Sequence, residues 1–399
     1  MRQATTAFAI VTMTVWSAPL MAHTEPGAGS TESEAAEVER AEVESIKDAL
    51  EYEPVQIGGA FEFPWSIAFL PDRSLLLTER VGRLQHVQPD GTAREVGGLP
   101  PIFKGGGAGL LDVAIDPQFA HNRLIYFSYV HGDRTRSVLR VMRAQLSRDN
   151  RRLGARTVIF ESSAAVRDEQ YGGRIVVTQD GHLYLTTGDR WEHDRAQRLD
   201  DHLGKVIRIR SDGSVPSDNP FFGRDDAKPE IWSYGHRNSQ GLALDESSGQ
   251  LYAVEHGPMG GDELNIVQRG RNYGWPVISH GIHYDGKPVG EGKAKDGMEQ
   301  PAHVFGEPPA QAPSGLAVDS AGVKPILWVG TLAGQALVRL HHDGEAWRET
   351  RLLYEQLGRI RDVRIGPDGM LYVITDAPEG ALFRLDPIVE QAGQPRPAR

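Results

Sequence analysis

The sequence contains no cysteine, which excludes disulfide bonds and every metal site built on thiolates. This absence does not argue against a location outside the cytoplasm, because a chain of 399 residues can bury a large core without covalent cross-links. No apolar run long enough to cross a membrane follows the N-terminal region. Long stretches with helical periodicity are also scarce, whereas 45 glycines and 25 prolines indicate frequent turns.

An excess of positive charge is missing as well. The formal net charge is −11. The stretch Glu32–Glu53 holds nine acidic and two basic residues and so carries −7, which leaves −4 for the remainder. Because no basic patch stands out, nucleic acid is not an expected partner. Residues 23–54 are predicted to form an acidic linker or a solvated helix, with a docking arm as the functional alternative.

The N-terminus has the order of features that is typical of an export signal. Arg2 supplies a positive start, and residues 7–20 are mostly apolar and are followed by a small residue suitable for cleavage. A buried N-terminal helix is the alternative. The sequence predicts a signal peptide over residues 1–22 and a periplasmic or secreted protein. At the other end, residues 389–399 are predicted to be a disordered tail.

One pattern recurs six times: a short apolar strand, a turn with Asp or Gly, a second apolar strand and a polar exit. The turn aspartates are 44, 64, 65, 74 and 49 residues apart. The shortest spacings approach the length of one four-stranded propeller blade. The sequence therefore predicts an all-β, six-bladed β-propeller over residues 55–388, with an open β-sandwich as the alternative. The copies begin at Trp65, Leu111, Arg174, Gly241, Gly315 and Arg361.

Polar residues follow the second strand in several copies of the repeat. Equivalent positions of different blades fall on the same face of a propeller, so these residues are expected to converge around one mouth of the central channel. They are Glu79, Arg80, Asp189, Arg190, Glu255, His256 and Asp376.

The stretch Glu255–Asn265, followed by Asn272–Pro276, combines glycine, proline and acidic residues. Glycines and a proline allow backbone carbonyls to turn inward, and Asp262 and Glu263 add carboxylates. Hard oxygen donors in an irregular loop suit Ca²⁺. The alternative is a structural turn in which Asp262 caps backbone amides.

Two arginine-containing segments point to an anion. Arg237 and Asn238 lie just before the first strand of the fourth copy, and Arg359 and Arg361 share one face of a strand in the sixth. A guanidinium offers a planar fork of donors that matches a carboxylate. Arginines from separate blades that face one channel would form an anion pocket, whereas arginines paired with core carboxylates are the alternative.

Seven short motifs follow one another between Phe63 and Pro387, and together they resemble the soluble pyrroloquinoline-quinone-dependent aldose sugar dehydrogenases. That family includes the glucose/sorbosone dehydrogenase relatives. The resemblance implies a propeller with pyrroloquinoline quinone in the channel mouth and a Ca²⁺ ion that polarises it. The motifs are Gly109-Leu-Leu-Asp-Val113, Gly172-Gly-Arg-Ile-Val176, Thr187-Gly-Asp189, His202-Leu-Gly-Lys-Val206, Gly235-His-Arg-Asn238, His256-Gly-Pro258 through Trp275, and Arg359-Ile-Arg-Asp362.

The resemblance also implies roles for single residues. The carbonyls of Gly257 and Pro258 would bind the cofactor calcium, and Glu263 and Tyr273 would bind calcium as well. In the implied reaction a base takes the proton of the anomeric hydroxyl as hydride moves to the quinone, the sugar becomes a lactone, and the electrons pass on to an acceptor. The carboxylates and carbonyls of the quinone would be held by Arg237, Asn238, Arg359 and Arg361.

The chain departs from the family pattern at three positions. The catalytic base of the family is a histidine where this chain has Gln170, and a glutamine side chain cannot take up a proton in water. Asp189, which resembles the carboxylate that orients the base, is present. Gly107 replaces a glutamine that touches the cofactor, and Ala333 stands where a lysine is frequent.

These departures leave three functions open. The leading one is an exported quinoprotein oxidoreductase that oxidises aldose sugars or related alcohols. The second is a Ca²⁺-stabilised propeller that binds a ligand without turnover, and the third is a metal-dependent, lactonase-like hydrolase. The candidates for a substitute base, unless they are ordinary rim residues, are Asp189, Glu169, Glu192, His193 and His256.

Overall fold

A computed structural model describes residues 51–306 and 309–388. The predicted signal peptide, residues 23–50 of the predicted acidic segment and the predicted tail lie outside the described residues. In the part that is described, no helix has the length and apolar character needed to cross a membrane.

Within the described ranges, twenty-four strands form six antiparallel sheets of four strands each. The first strand, β1 (Tyr52–Phe61), belongs to the last sheet. Blade 1 contains β2 (Pro64–Phe69), β3 (Leu75–Glu79), β4 (Arg83–Val87) and β5 (Ala93–Glu95). Blade 2 contains β6 (Leu110–Ile115), β7 (Leu124–Gly132), β8 (Ser137–Leu146) and β9 (Leu153–Glu161). Blade 3 contains β10 (Gly172–Val177), β11 (His182–Thr187), β12 (Lys205–Arg210) and β13 (Ile231–Tyr234).

The second half of the chain repeats this arrangement. Blade 4 contains β14 (Ser239–Asp245), β15 (Gln250–Glu255), β16 (Glu263–Val267) and β17 (His303–Val304). Blade 5 contains β18 (Pro313–Asp319), β19 (Ile326–Thr331), β20 (Leu337–His342) and β21 (Trp347–Leu352). Blade 6 contains β22 (Ile360–Ile365), β23 (Leu371–Thr375) and β24 (Gly380–Pro387), completed by β1. Two short helices lie between strands, α1 (Phe119–Asn122) in blade 2 and a 3₁₀-helix (His193–Gln197) in blade 3.

The six sheets close into a ring, which confirms the predicted six-bladed propeller. The first strand of each blade contacts the first strand of the next, and β22 returns to β2. The ring is closed within blade 6, where β1 pairs with β24 and Tyr52 lies opposite Pro387. The first strand of the ring begins at Tyr52. Each copy of the sequence repeat is the innermost strand pair of one blade, and the longest spacing contains the loop between β16 and β17.

Apolar side chains from neighbouring blades pack together between the sheets. Tyr126 of blade 2 and Leu185 of blade 3 share one core cluster, and Ile67 of blade 1 and Ile374 of blade 6 share another. The strand residues alternate in direction, so each sheet buries side chains on both faces against the sheets beside it. This packing fixes the blades relative to one another and holds the strand ends in place.

A buried network of charges joins the inner strands of three blades and contacts a tryptophan of a fourth. Arg174 Nη1 of β10 lies 3.0 Å from Asp362 Oδ1 of β22 and 3.5 Å from Asp112 Oδ1 of β6. The guanidinium also lies over the ring of Trp65 in β2, with 4.1 Å to the centroid. Arg364 pairs with the same two aspartates. Three motif residues, Asp112, Arg174 and Asp362, therefore have a structural role at the centre of the ring.

Candidate active site

Asp189 follows β11 at the channel mouth and is fully buried. Its Oδ1 accepts a hydrogen bond from the backbone N–H of Trp191 (3.0 Å). With the Gln170 amide in the orientation that satisfies both of its neighbours, Oδ1 also accepts from this amide (2.5 Å). Its Oδ2 accepts from the indole N–H of Trp275 (2.8 Å) and lies 2.5 Å from Nδ1 of His193. A carboxylate has about four acceptor directions, and all four are used here. The arrangement suits a group that orients its neighbours.

Arg237 connects Gln170 to the glycine-rich turn. Its Nη2 donates to the amide oxygen of Gln170 (3.1 Å), and its Nη1 donates to the carbonyls of His256 (3.0 Å) and Gly257 (2.7 Å). Its Nε is buried without a hydrogen-bond partner among the residues that the structure describes. A buried guanidinium N–H without an acceptor is costly, so the site is suited to a ligand that brings an acceptor.

The guanidinium of Arg237 lies between two indole rings. Its centre is 5.5 Å from the ring centroid of Trp191 and 5.3 Å from that of Trp275. Trp191 has a left-handed backbone conformation (φ 61°), as does the preceding Arg190 (φ 56°). Such conformations are strained in bulky residues and cluster at functional sites. The two rings hold the guanidinium in one orientation at the mouth.

Asn238 links this group of residues to the next blade. Its Oδ1 accepts from the side chain of Gln240 (3.1 Å), and its Nδ2 lies 3.5 Å from Nδ1 of His256. His256 Nε2 is 2.9 Å from the carbonyl of Pro313, which identifies Nε2 as the protonated nitrogen. Burial, together with the positive charges of Arg237 and Arg361, lowers the pKa of His256 to about 3. His256 is therefore neutral at physiological pH and a weak base.

Arg359 and Arg361 converge on one carboxylate, as strand alternation predicts. Their Nη2 atoms lie 2.9 Å and 3.0 Å from the same Oδ2 of Asp376. Burial raises the pKa of Asp376, but the two arginines outweigh it and the pKa is lowered overall. Arg361 also donates to Gln240 (3.2 Å), while its Nε is buried and lacks a partner in the described ranges. Two guanidinium groups on one carboxylate leave a positive excess that suits an anion.

Asp262 organises the glycine-rich turn. It is fully buried, its Oδ1 accepts from the backbone N–H of Gly257 (2.8 Å), and its Oδ2 accepts from the backbone N–H groups of Gln311 (2.6 Å) and Ala312 (2.8 Å). Both oxygens of Asp262 thus bind backbone amides, as in the structural turn that the sequence offers as the alternative to a metal site. The turn is held against the start of blade 5.

Beside this turn lies a cavity of about 20 Å³, lined by Arg237, Glu255, Glu263, Tyr273 and other residues. Glu255 and Glu263 stand opposite each other on β15 and β16. Glu255 accepts hydrogen bonds from the side chain of Asn265 and the backbone of Arg237. Among the described residues, Glu263 receives only a 3.2 Å contact from Asn265. Burial and the neighbouring Glu255 raise the pKa of Glu263 to about 8. A cation in this cavity would relieve the repulsion.

The carboxylates of Glu255 and Glu263 supply oxygen donors of the kind that a calcium site requires, and the guanidinium of Arg237 lines the same cavity. Gly257 lines the cavity, and its carbonyl already accepts a hydrogen bond from Arg237. The hydroxyl of Tyr273 donates to the carbonyl of Ile266 (2.5 Å), so a calcium contact from this residue would use its backbone carbonyl. In the described ranges, no three acidic or histidine side chains gather at one point. A calcium ion here would therefore depend on backbone oxygens beside one or two carboxylates.

The arginines fit an anionic quinone. Two other positions lack the polar side chains that the resemblance implies. Gly107 lies against the segment that carries Gln170, where its N–H donates to the carbonyl of Asp168 (2.7 Å). A Cβ atom at this position would lie 3.4 Å from Cα of Glu169, which is ordinary contact. Ala333 is exposed, and its N–H donates to the carbonyl of Gln311. The amide and the ammonium group that the resemblance implies are thus absent from the mouth.

Some residues of the site were not singled out from the sequence. Gln240 joins Asn238 to Arg361, and Trp191 covers Arg237. Tyr284, from the long loop before β17, contacts the ring of Trp191 at 5.9 Å between centroids. Glu79, which the repeat also predicts at the mouth, ends β3 and pairs with Arg83 (2.7 Å) of the same blade. The tryptophan two residues after Asp189 in the sequence was the one available signal for Trp191.

The six-bladed propeller is the fold of the solved sugar dehydrogenases that this chain is similar to. The family model described as "Glucose / Sorbosone dehydrogenase" matches residues 61–384. The chain belongs to this family.

Similar proteins cover nearly the same range. The chain is 39% identical over 337 residues to the aldose sugar dehydrogenase YliI of Escherichia coli, covering 82% of this chain and 90% of the relative. The soluble aldose sugar dehydrogenase from E. coli in the apo-form has a TM-score of 0.80 at 35% identity and covers 84% of this chain and 100% of that one. The PQQ-bound form of the aldose sugar dehydrogenase from Streptomyces coelicolor has a TM-score of 0.70 at 26% identity and covers 84% and 98%.

Proposed function

We propose that the protein is an exported quinoprotein oxidoreductase that oxidises aldose sugars or related alcohols to lactones in the periplasm or outside the cell. The observation that carries this proposal is the meeting of Arg237 and Arg361 at one channel mouth, each with a buried Nε that lacks an acceptor within the described residues. A polyanionic cofactor would supply these acceptors. Membership in the sugar dehydrogenase family supports the same conclusion.

The residues of the mouth divide into three roles in this proposal. Arg237, Asn238, Arg359 and Arg361 hold the carboxylates and carbonyls of pyrroloquinoline quinone. The carbonyls of Gly257 and Pro258, with Glu263 and Tyr273 beside them, hold Ca²⁺. Asp189 and Gln170 stand next to Arg237, where the reacting carbon of the sugar would lie. When bound, the quinone supplies the electrophilic carbonyl that accepts hydride, and a soluble acceptor then takes the electrons.

The proposal is tested by reconstitution. Purified protein freed of metal with a chelator is mixed with Ca²⁺ and pyrroloquinoline quinone, and a panel of aldoses is added in the presence of a redox dye. We expect dye reduction that requires the quinone, the metal and the sugar together. If there is neither dye reduction nor a spectrum of bound quinone, the proposal is wrong.

A second function, a Ca²⁺-stabilised propeller that binds a ligand without turnover, is favoured by one observation. Gln170 occupies the position of the family base and bridges Asp189 and Arg237 through its amide, which cannot accept a proton. This alternative predicts that quinone and calcium bind while no sugar in the panel reduces the dye. The same assay therefore separates it from the oxidoreductase. Metal-dependent ring opening of a lactone without any chromophore would instead indicate a hydrolase.

A further inference from the structure

We propose that His193 is the general base of the sugar oxidation. In this proposal Asp189 orients His193 instead of the family's histidine, whose position is occupied by Gln170. This role presupposes the oxidoreductase function proposed above. His193 Nδ1 lies 2.5 Å from Asp189 Oδ2, and the amide of Gln170 lies 2.5 Å from Oδ1 of the same carboxylate. One buried carboxylate thus contacts both position 170 and His193. A histidine on either side of Asp189 can therefore be oriented by this carboxylate and serve as the base.

The contact with Asp189 determines which ring nitrogen of His193 carries the proton. A carboxylate accepts hydrogen bonds, so the neutral imidazole donates from Nδ1 and keeps a free lone pair on Nε2. Nε2 makes no hydrogen bond to any residue that the structure describes, and 29% of the side chain is exposed. An imidazole oriented by a buried carboxylate and open at Nε2 has the arrangement of a general base in hydrolytic triads.

His193 lies in the same aromatic cluster as Arg237. Its ring meets the ring of Trp275 edge-on at 5.0 Å between centroids, and the ring of Trp191 lies at 5.9 Å. The same two indoles flank the guanidinium of Arg237. The imidazole is therefore next to the group that would hold the quinone, where the anomeric hydroxyl must approach.

The 3₁₀-helix that begins at His193 is rigidly held. Lys205 Nζ is buried and donates to the carbonyls of Arg195 (2.9 Å) and Ala196 (3.0 Å). Gln197 donates to the carbonyl of Trp275 (2.7 Å), which joins the helix to the turn of blade 4. A catalytic group must be held close to its productive geometry by such supporting contacts. The position of His193 is thus fixed before substrate binds.

The other candidates for the base are engaged elsewhere. The carboxylate of Glu169 accepts from the indole N–H of Trp191 (2.9 Å), and that of Glu192 pairs with Arg195 (2.8 Å). Asp189 already accepts four hydrogen bonds, and His256 meets Asn238 at Nδ1. His193 is the candidate in the described part of the chain that combines an orienting carboxylate with an open basic nitrogen.

In the proposed step, Nε2 of His193 takes the proton of the anomeric hydroxyl. The O–H bond breaks and an N–H bond forms, and the C1–O bond becomes a carbonyl as the C1–H bond breaks. The electron pair of that C1–H bond would leave with the hydride, and a bound quinone would supply the acceptor. The imidazolium that results is stabilised by the negative charge of Asp189 and releases its proton to solvent.

The test compares His193→Gln with a matched control, His182→Gln. His182 also pairs with an aspartate, Asp180 (2.9 Å), but lies at the opposite end of β11. We expect kcat to fall about 10²–10⁴-fold in His193→Gln and to stay unchanged in the control. Quinone binding, followed by fluorescence, should be the same in both. A kcat that is unchanged in His193→Gln overturns the proposal.

A second variant and a spectroscopic measurement guard against a merely structural effect. Adding Gln170→His to His193→Gln restores an imidazole on the other oxygen of Asp189, and kcat should recover at least tenfold. In ¹⁵N-labelled protein, NMR of the histidine rings should show His193 protonated at Nδ1 and not at Nε2, and Asp189→Asn should abolish this preference. Protonation at Nε2 in the wild-type protein overturns the proposal. Failure of the wild-type protein to oxidise any sugar would instead refute the proposed function itself.

Discussion

Nη1 of Arg174 lies 3.0 Å from Oδ1 of Asp362, although the two residues belong to blades 3 and 6 of the ring. Both side chains are at most 1% exposed. Burial lowers the pKa of Arg174, and the charges of Asp362 and Asp112 oppose this effect. The pair connects opposite sides of the channel beneath the candidate site.

Replacement of Arg174 by methionine should strongly destabilise the protein. The change leaves two buried aspartates with less positive charge, and breaking a buried ion pair from one side costs about 3–5 kcal/mol. Denaturant unfolding of the variant should show a loss of this size. Arg224→Met is the control, since Arg224 and its partner Asp226 are exposed. Its loss should be much smaller, because exposed ion pairs contribute little to stability, and equal losses in the two variants would refute the structural role of Arg174.

Stability of the metal-free protein should fall as the pH rises towards 8, because the pKa of Glu263 is raised from 4.5 to about 8. Between these values the folded protein holds a proton that the unfolded chain has released, so folding is favoured at the lower pH. Thermal unfolding in the presence of a chelator, from pH 5 to 9, measures the effect. Glu263→Gln should be less sensitive to pH over this range, and a parallel decrease in both proteins would contradict the assignment.

Calcium should reverse this loss of stability. The ion replaces the proton of Glu263, so binding releases protons and strengthens as the pH rises through about 8. Calorimetry in two buffers with different ionisation enthalpies measures the proton release directly. Glu263→Gln should bind calcium more weakly and release fewer protons. Proton release of the same size in this variant would assign the effect to another group.

Gly107→Gln should tighten quinone binding. The backbone of Gly107 has no positive φ, and a Cβ atom there meets Glu169 at ordinary contact distance, so the side chain is accommodated. A new hydrogen bond contributes about 0.5–1.5 kcal/mol, which is about a 2- to 12-fold gain in affinity. Fluorescence titration with the quinone measures it. Gly107→Leu is the matched control of similar size, and an equal gain there would exclude a hydrogen bond as the cause.

Tyr284→Ala should weaken sugar binding and leave the chemical step intact. The ring of Tyr284 is 62% exposed and contacts Trp191 at the rim, which makes a surface on which a sugar ring can stack. We expect KM to rise about 2- to 12-fold, as an aromatic contact of about 0.5–1.5 kcal/mol implies, with kcat unchanged. Phe222→Ala, an exposed aromatic after β12 at the other end of blade 3, serves as control. A fall in kcat alone would contradict this role.

The ring of blades could be predicted because its signal is repeated and local. Each inner strand pair carries alternating apolar residues and a turn aspartate such as Asp180 or Asp368, and six copies together exclude coincidence. The prediction that Arg359 and Arg361 lie on one face required strand alternation alone. These features depend on residues that are close together in the sequence, so the sequence alone predicts them.

The partners across blades could not be predicted. Whether Asp262 binds a metal or fixes amides depends on Gln311 and Ala312, which are distant in the sequence. Among the five candidates for a base, nothing in the order of residues distinguished His193 from His256. Their difference comes from burial near two arginines in one case and contact with Asp189 in the other. Such distinctions arise only when the blades are assembled.

Pairing of β1 with β24 means that the chain enters and leaves the ring side by side, with the N–H of Ile388 donating to the carbonyl of Glu51 (2.9 Å). A short linker between residues 388 and 51 could therefore connect the two ends without disturbing a blade. New termini could be opened at the hairpin around Gly249, which has open space beside it. The mouth that carries Asp189 and Arg237 would keep its geometry in such a permuted ring, so immobilisation on an electrode through either new end is compatible with an intact site.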